Sequence, residues 1–157
     1  ITFVSTKDKN SMKKVLFLLI ICIFSLQMKA QDCQTFKGHL CNNEFRVYLD
    51  IDFYANNIIV PGQEIFGELP GYFGALRDSR KWLITSVKLT DPTTAILSIT
   101  NDYGSEDLEA ILKLQKDGSY VLQQKKGSRI KIVVDRKWVK IPTDLVLVKS
   151  NREGGER

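Results

Sequence analysis

The chain has 157 residues, 43% hydrophobic and 26% charged, with three cysteines, one histidine and a formal net charge of +5. That length supports one folded domain with a single core and excludes two domains of ordinary size. Residues 1–30 hold five of the 23 basic residues and one of the 18 acidic ones; the other 127 residues carry a net charge of +1, which removes the case for a nucleic-acid-binding protein.

Taken in order, the chain has no methionine before Met12. Residues 1–11 therefore read as upstream read-through. Met12 is followed by Lys13 and Lys14 and by an unbroken apolar run over residues 15–24. A positive pair, a short apolar run and then Met28, Lys29 and Ala30 have the order of a secretory signal peptide over residues 12–30, with cleavage after Ala30. The run is about half the ~20 residues that a membrane-spanning helix needs, so no stable span is expected after cleavage. Neither Cys22 nor Cys33 has the small residue directly before it that bacterial lipidation signals show. Cys33 and Cys41 remain as an even pair in a compartment that permits disulfides, and a bridge between them is expected. With His39 as the single histidine and no Cys-x-x-Cys spacing, neither a metal nor a cofactor is expected.

Residues 44–54 organise the remainder, because Phe45, Val47, Leu49, Ile51 and Phe53 alternate without error with polar or amphipathic residues. A period of two places these five on the buried face of a strand. Short strands are predicted on either side. One lies near residues 36–41, turning at Asn42 and Asn43, and another over 58–60, resuming around 64–69 after Pro61 and Gly62. Further strands fall at 82–89 and 95–100, joined by a turn over 90–94. Residues 106–115 fit either a helix capped by Ser105 or a strand. The turn dipeptide Asp117-Gly118, which leads into Tyr120, Val121 and Leu122, favours the strand. Alternation at Ile130, Ile132 and Val134, then apolar runs at 138–141 and 145–148, complete the pattern. The polar residues 150–157 read as a disordered tail.

Eight to ten short strands joined in order by turns predict an all-β domain over residues 31–149. A single small antiparallel barrel with an up-and-down meander is favoured, and a β-sandwich is the alternative. In architecture this resembles the small lipocalin-like barrels that bacteria export, though no motif ties it to one family.

Three regions carry the functional expectations. The glycine-rich stretch 66–76 lacks the spacing of a phosphate loop. It reads as a flexible loop whose Tyr72 and Phe73 either plug a barrel end or, with Leu76, Arg77 and Trp82, contact a ligand or partner. Residues 101–107 gather Asp102, Glu106 and Asp107 without EF-hand spacing. That is ordinary turn chemistry, with cation or sugar binding as a second reading and a pair of glycosidase carboxylates as a third. The basic residues between Lys125 and Lys140 read as the wet face of strands, or as a surface for an anionic partner. His39 is expected as a surface or interface histidine.

No nucleophile, metal set or cofactor loop emerges. The expected protein is therefore exported, periplasmic or extracellular, and non-enzymatic, binding a small apolar ligand or an envelope protein. An envelope enzyme inhibitor or immunity protein, acting through a protruding loop, is one alternative. A carbohydrate-binding or carbohydrate-active protein is the other. Open space inside the barrel, lined by Phe45, Leu49 and Phe53, would favour an interior ligand; a filled core would favour protein contact.

Overall fold

A computed structural model of the chain describes residues 34–150. The upstream segment 1–11, the export signal at 12–30, Cys33 and residues 151–157 lie outside the described residues. The described chain forms twelve strands: β1 (Lys37–Asn42), β2 (Val47–Asp52), β3 (Ile58–Ile59), β4 (Glu68–Leu69), β5 (Gly71–Ala75), β6 (Asp78–Asp91), β7 (Thr94–Asn101), β8 (Asp107–Leu114), β9 (Tyr120–Gly127), β10 (Lys131–Val134), β11 (Lys137–Lys140) and β12 (Asp144–Ser150). Eight of them close into a barrel in the order β1, β2, β5, β6, β7, β8, β9, β12, with β12 pairing back on β1. The fold is thus an antiparallel up-and-down barrel. Two hairpins, β3–β4 and β10–β11, are inserted in the β2–β5 and β9–β12 connections and form small sheets of their own.

The period-two pattern decides what fills the interior. Leu49 pairs with Leu40 on one side and with Phe73 on the other, and Phe73 pairs in turn with Trp82. Further round the wall, Ile84, Ile99 and Leu108 follow one another across three strands, as do Leu112, Leu122 and Leu145. All of these are buried in one apolar cluster. An eight-stranded barrel is just wide enough for such side chains to fill. The end where the chain enters β1 is closed by Phe36, stacked on Phe53 at 5.6 Å and edge-on to Tyr120 at 6.4 Å. The Tyr120 hydroxyl donates to the Thr35 carbonyl there at 2.6 Å. The opposite, upper end is closed by Ile130, Ile132 and Ile141 from the β9–β12 connection. Gln124 ties this cap down: its side-chain oxygen accepts from the Ile130 N–H at 2.7 Å, and its amide donates to the Pro142 carbonyl at 2.8 Å.

A second, smaller core lies outside the wall. The β3–β4 hairpin folds over the outer face of β5 and β6, burying Val60 against Tyr72 and Leu83, with Tyr48, Ile58 and Leu69 around them.

The glycine-rich stretch is therefore not the flexible loop expected. Its central part is β5, every residue of which is buried. Two of its glycines answer a clearance problem, not a turn. At Gly74 a Cβ would lie 2.6 Å from the Tyr48 ring, and at Gly71 it would strike the backbone of Asp50 and Ile51. Without side chains, β5 can slide under that ring and against that strand. The organising strand is also shorter than its alternation suggests. Residues 43–46 form the β1–β2 turn, with Arg46 at φ 54°, although Phe45 still packs on the core. Residues 64–66, expected as strand, form a one-turn 3-10 helix. Residues 107–114 are strand, as the Asp117-Gly118 turn implied. Ser150, expected at the start of the tail, pairs with His39. Asp135 and Arg136 both have positive φ, 50° and 64°, and make the two-residue turn of the β10–β11 hairpin, which the sequence did not signal. Among the described residues, no helix is long and apolar enough to cross a membrane.

Candidate functional site

At the upper end, three elements converge on an open cleft of about 370 Å³. The start of β6 supplies Arg80, Lys81 and Trp82; the end of β7 and the β7–β8 loop supply Asn101, Asp102, Tyr103, Ser105 and Glu106; the β10–β11 hairpin supplies Lys131 and Trp138. The hairpin is fixed to the barrel. The Trp82 indole N–H donates to the Lys131 carbonyl at 3.3 Å, and the Val133 N–H donates to the Asp78 carboxylate at 2.7 Å. The loop is organised by Asn101, whose side-chain oxygen accepts from the Ser105 N–H at 2.9 Å and the Glu106 N–H at 3.3 Å. Asp102 anchors the loop to β6 by accepting from the Lys81 N–H at 3.1 Å.

The charges in this cleft come in pairs. Arg80 bridges Asp78 at 3.1 Å and lies over the Trp138 ring at 4.4 Å, while Lys131 bridges Glu106 at 2.8 Å and approaches the same ring at 5.4 Å. The Lys81 ammonium is directed to the Tyr48 ring, 5.9 Å away. The cleft therefore carries little surplus charge. What it offers a partner is Trp138, 57% exposed on the hydrogen-bonded hairpin, and Tyr103, 79% exposed in the loop that Asn101 organises.

Of the residues singled out from the sequence, Trp82, Asp102 and Glu106 meet in this cleft, which joins two regions the sequence kept apart. Trp82 itself is buried in the barrel core, and only its indole N–H reaches the hairpin. Asp107 stands apart, exposed at the start of β8 beside a different cleft lined by Lys126 and Gly127. Leu76 and Arg77 are exposed in the β5–β6 turn. Phe73 points into the barrel at 1% exposure. Tyr72, at 5%, lies on the outer face under the β3–β4 hairpin. Cys41 is half-buried in β1, and its expected disulfide partner Cys33 is outside the described residues. Among the described residues, no group of three His, Cys, Asp or Glu side chains gathers as metal ligands would.

Sequence reasoning missed Trp138, Tyr103, Arg80 and Lys131 as cleft residues. A tryptophan flanked by Lys137 and Lys140 in a short strand was the available signal. It also missed a polar ladder across the outer wall. His39 Nδ1 lies 2.5 Å from Asp50, and the Tyr72 hydroxyl donates to the same carboxylate at 2.8 Å. His39 is thus half-buried on the wall, with the Tyr48 ring 5.3 Å away. Burial first, and the Asp50 carboxylate second, push the Tyr72 hydroxyl far above the ordinary tyrosine range, so it stays a donor. This ladder, with Lys37 and Asp52, lines an open cleft of about 590 Å³ beneath the β3–β4 hairpin.

No protein-family model, no curated protein and no solved structure matches this chain.

Proposed function

We propose that the chain is an exported, non-enzymatic barrel that binds a protein partner at its upper rim, through the cleft framed by Trp138, Tyr103 and Arg80. One observation carries this reading: the side chains of the barrel occupy its interior, while an indole and a phenol stand exposed beside an arginine on hydrogen-bonded elements outside it. Tryptophan, tyrosine and arginine are the residue types that dominate binding energy when they anchor protein interfaces. A small apolar ligand is disfavoured, because Leu49 and Phe53 pack within one interior cluster with Phe45 against it. Export rests on the order Lys13, Lys14, apolar run, Ala30.

The test is recovery of the full chain from its native envelope, as parent and as the double variant Trp138→Ala with Tyr103→Ala. The reading expects a defined protein bound to the parent and lost from the variant, with both fully folded at the temperature of recovery. A lipid or other apolar molecule in organic extracts of the parent, retained by the variant, overturns it.

A second reading is favoured by a separate feature. Trp138 and Tyr103 flank Asn101, Asp102, Ser105 and Glu106 in a cleft whose charges are balanced, which suits a neutral saccharide stacked on a ring and hydrogen-bonded at its edges. Binding on a glycan array that is abolished by Trp138→Ala would replace the protein partner with a sugar.

A further inference from the structure

The β3–β4 hairpin carries a tip, residues 60–67, whose chemistry the upper cleft does not use. Its root is fixed, because Val60 is fully buried between Tyr72 and Leu83. Its backbone is closed on itself: the Gln63 N–H donates to the Val60 carbonyl at 2.9 Å, Phe66 to Gln63 at 3.1 Å and Gly67 to Glu64 at 3.0 Å. The Glu64 carboxylate is held below the usual carboxylate range by its own backbone N–H and by the Gly62 N–H, which donates to it at 2.9 Å. The Gln63 side chain reaches across to Asp102 at 3.5 Å, which joins the tip to the loop that carries Tyr103.

On this braced turn Ile65 is 91% exposed and Phe66 is 47% exposed, with Ile59, also 47% exposed, lower on the same hairpin. A single exposed apolar residue needs no explanation, but several on one short projecting element mark an interaction site. The tip is held by its own backbone hydrogen bonds with Ile65 almost wholly exposed, so insertion would cost little conformational entropy. Its charge narrows the target. Residues 47–76 contain no lysine or arginine, while Glu64 and Glu68 flank the two apolar side chains. An anionic membrane surface would repel such a tip. A protein pocket that is apolar within and basic at its rim would complement it.

We propose that the 60–67 tip is a preformed recognition element that inserts Ile65, with Phe66 beside it, into an apolar, basic-rimmed pocket of the protein partner. This rests on the reading that the target is a protein, and it assigns that target's chemistry at a place distinct from Trp138.

The experiment places a photo-crosslinking benzoylphenylalanine at position 65 in one full-length chain and at position 138 in another, each expressed in the native envelope. The expected result is an adduct of position 65 with one protein, whose purified form is then titrated against the parent, Ile65→Asp and Glu68→Gln. Ile65→Asp is expected to weaken that affinity by about thirtyfold or more at an unchanged unfolding midpoint. Glu68→Gln is expected to weaken it several-fold at low salt and by less as salt rises. An adduct with a second copy of the chain, an adduct with lipid, or Ile65→Asp binding as tightly as the parent overturns the proposal. If position 138 captures a protein and position 65 captures none, the rim reading stands and the tip proposal fails; if neither captures a protein, both fail.

Discussion

Replacing Phe73 with alanine separates a barrel strand from a mobile lid more sharply than any other single change. In the fold described, the ring is 1% exposed, pairs across β5 with Leu49 and Trp82, and belongs to the interior cluster. Truncating a phenylalanine so enclosed removes its transfer free energy and leaves a cavity, at a cost of about 3–5 kcal/mol. For a domain of this size, each kcal/mol shifts the melting temperature by about 4 °C. The expected loss is therefore roughly 12–20 °C. The neighbouring residue provides the contrast. Tyr72→Phe keeps the ring on the outer wall and removes the hydroxyl with its hydrogen bond to Asp50 and its contact with Tyr48, so its cost should be about 1–3 kcal/mol. Urea and thermal unfolding of parent and variants, followed by circular dichroism, measure both. A Phe73→Ala protein that melts within 5 °C of the parent would refute the placement of this ring inside the barrel.

Gly74→Ala should cost about 1–3 kcal/mol, because its Cβ would meet the Tyr48 ring at 2.6 Å; chemical denaturation reads the change. Trp138→Ala should lower the unfolding free energy by about 1–2 kcal/mol, because its ring contacts with Arg80 and Lys131 are lost, while weakening partner binding by about 2 kcal/mol or more, read by titration calorimetry. Asp52 supplies a pH dependence. Burial alone would raise its pKa, but the Ala55 and Tyr54 N–H groups and the Lys37 ammonium, 3.1 Å away, outweigh burial and lower it. A lowered folded-state value means that the contribution is present above the unfolded carboxylate pKa of about 3.9 and is lost as pH falls through the folded value. The stability gap between parent and Asp52→Asn should therefore be constant above about pH 5 and close below about pH 4, which denaturation at a series of pH values checks.

The barrel was legible because its core obeys a period of two and its turns lie close in sequence. Phe45, Val47, Leu49, Ile51 and Phe53 all pack on the core, even though the first and last fall in turns. Alternation reports which way side chains face, not where hydrogen-bonded pairing stops. Gly71 and Gly74 misled for a different reason. Glycine in sequence signals bends, but here it gives clearance beneath Tyr48 and beside Asp50, and only the register of β5 on β2 shows that. The cleft was legible only in pieces. Trp82 lies in one stretch of chain and Asp102 with Glu106 in another, and the two meet because β6 and β7 pair, with Trp82 opposite Asn101. Trp138 and Lys131 join them through a hairpin turned at Asp135 and Arg136, and an arginine at the second position, where glycine usually supplies the left-handed backbone, gave no signal of a turn. His39 and Asp50 were visible as single residues, but their opposition depends on the exact pairing of β1 with β2.

The central claim is that the barrel is filled and meets its target on the outside of its upper rim. Amide hydrogen exchange, measured on the chain alone and on the complex recovered from its native cells, tests this most directly. The account expects added protection over residues 101–106 and 131–138, with the exchange of β2, β5 and β9 unchanged. Protection that instead concentrates on Leu49, Phe73 and Leu122 in the barrel interior, with the rim unaltered, would contradict it.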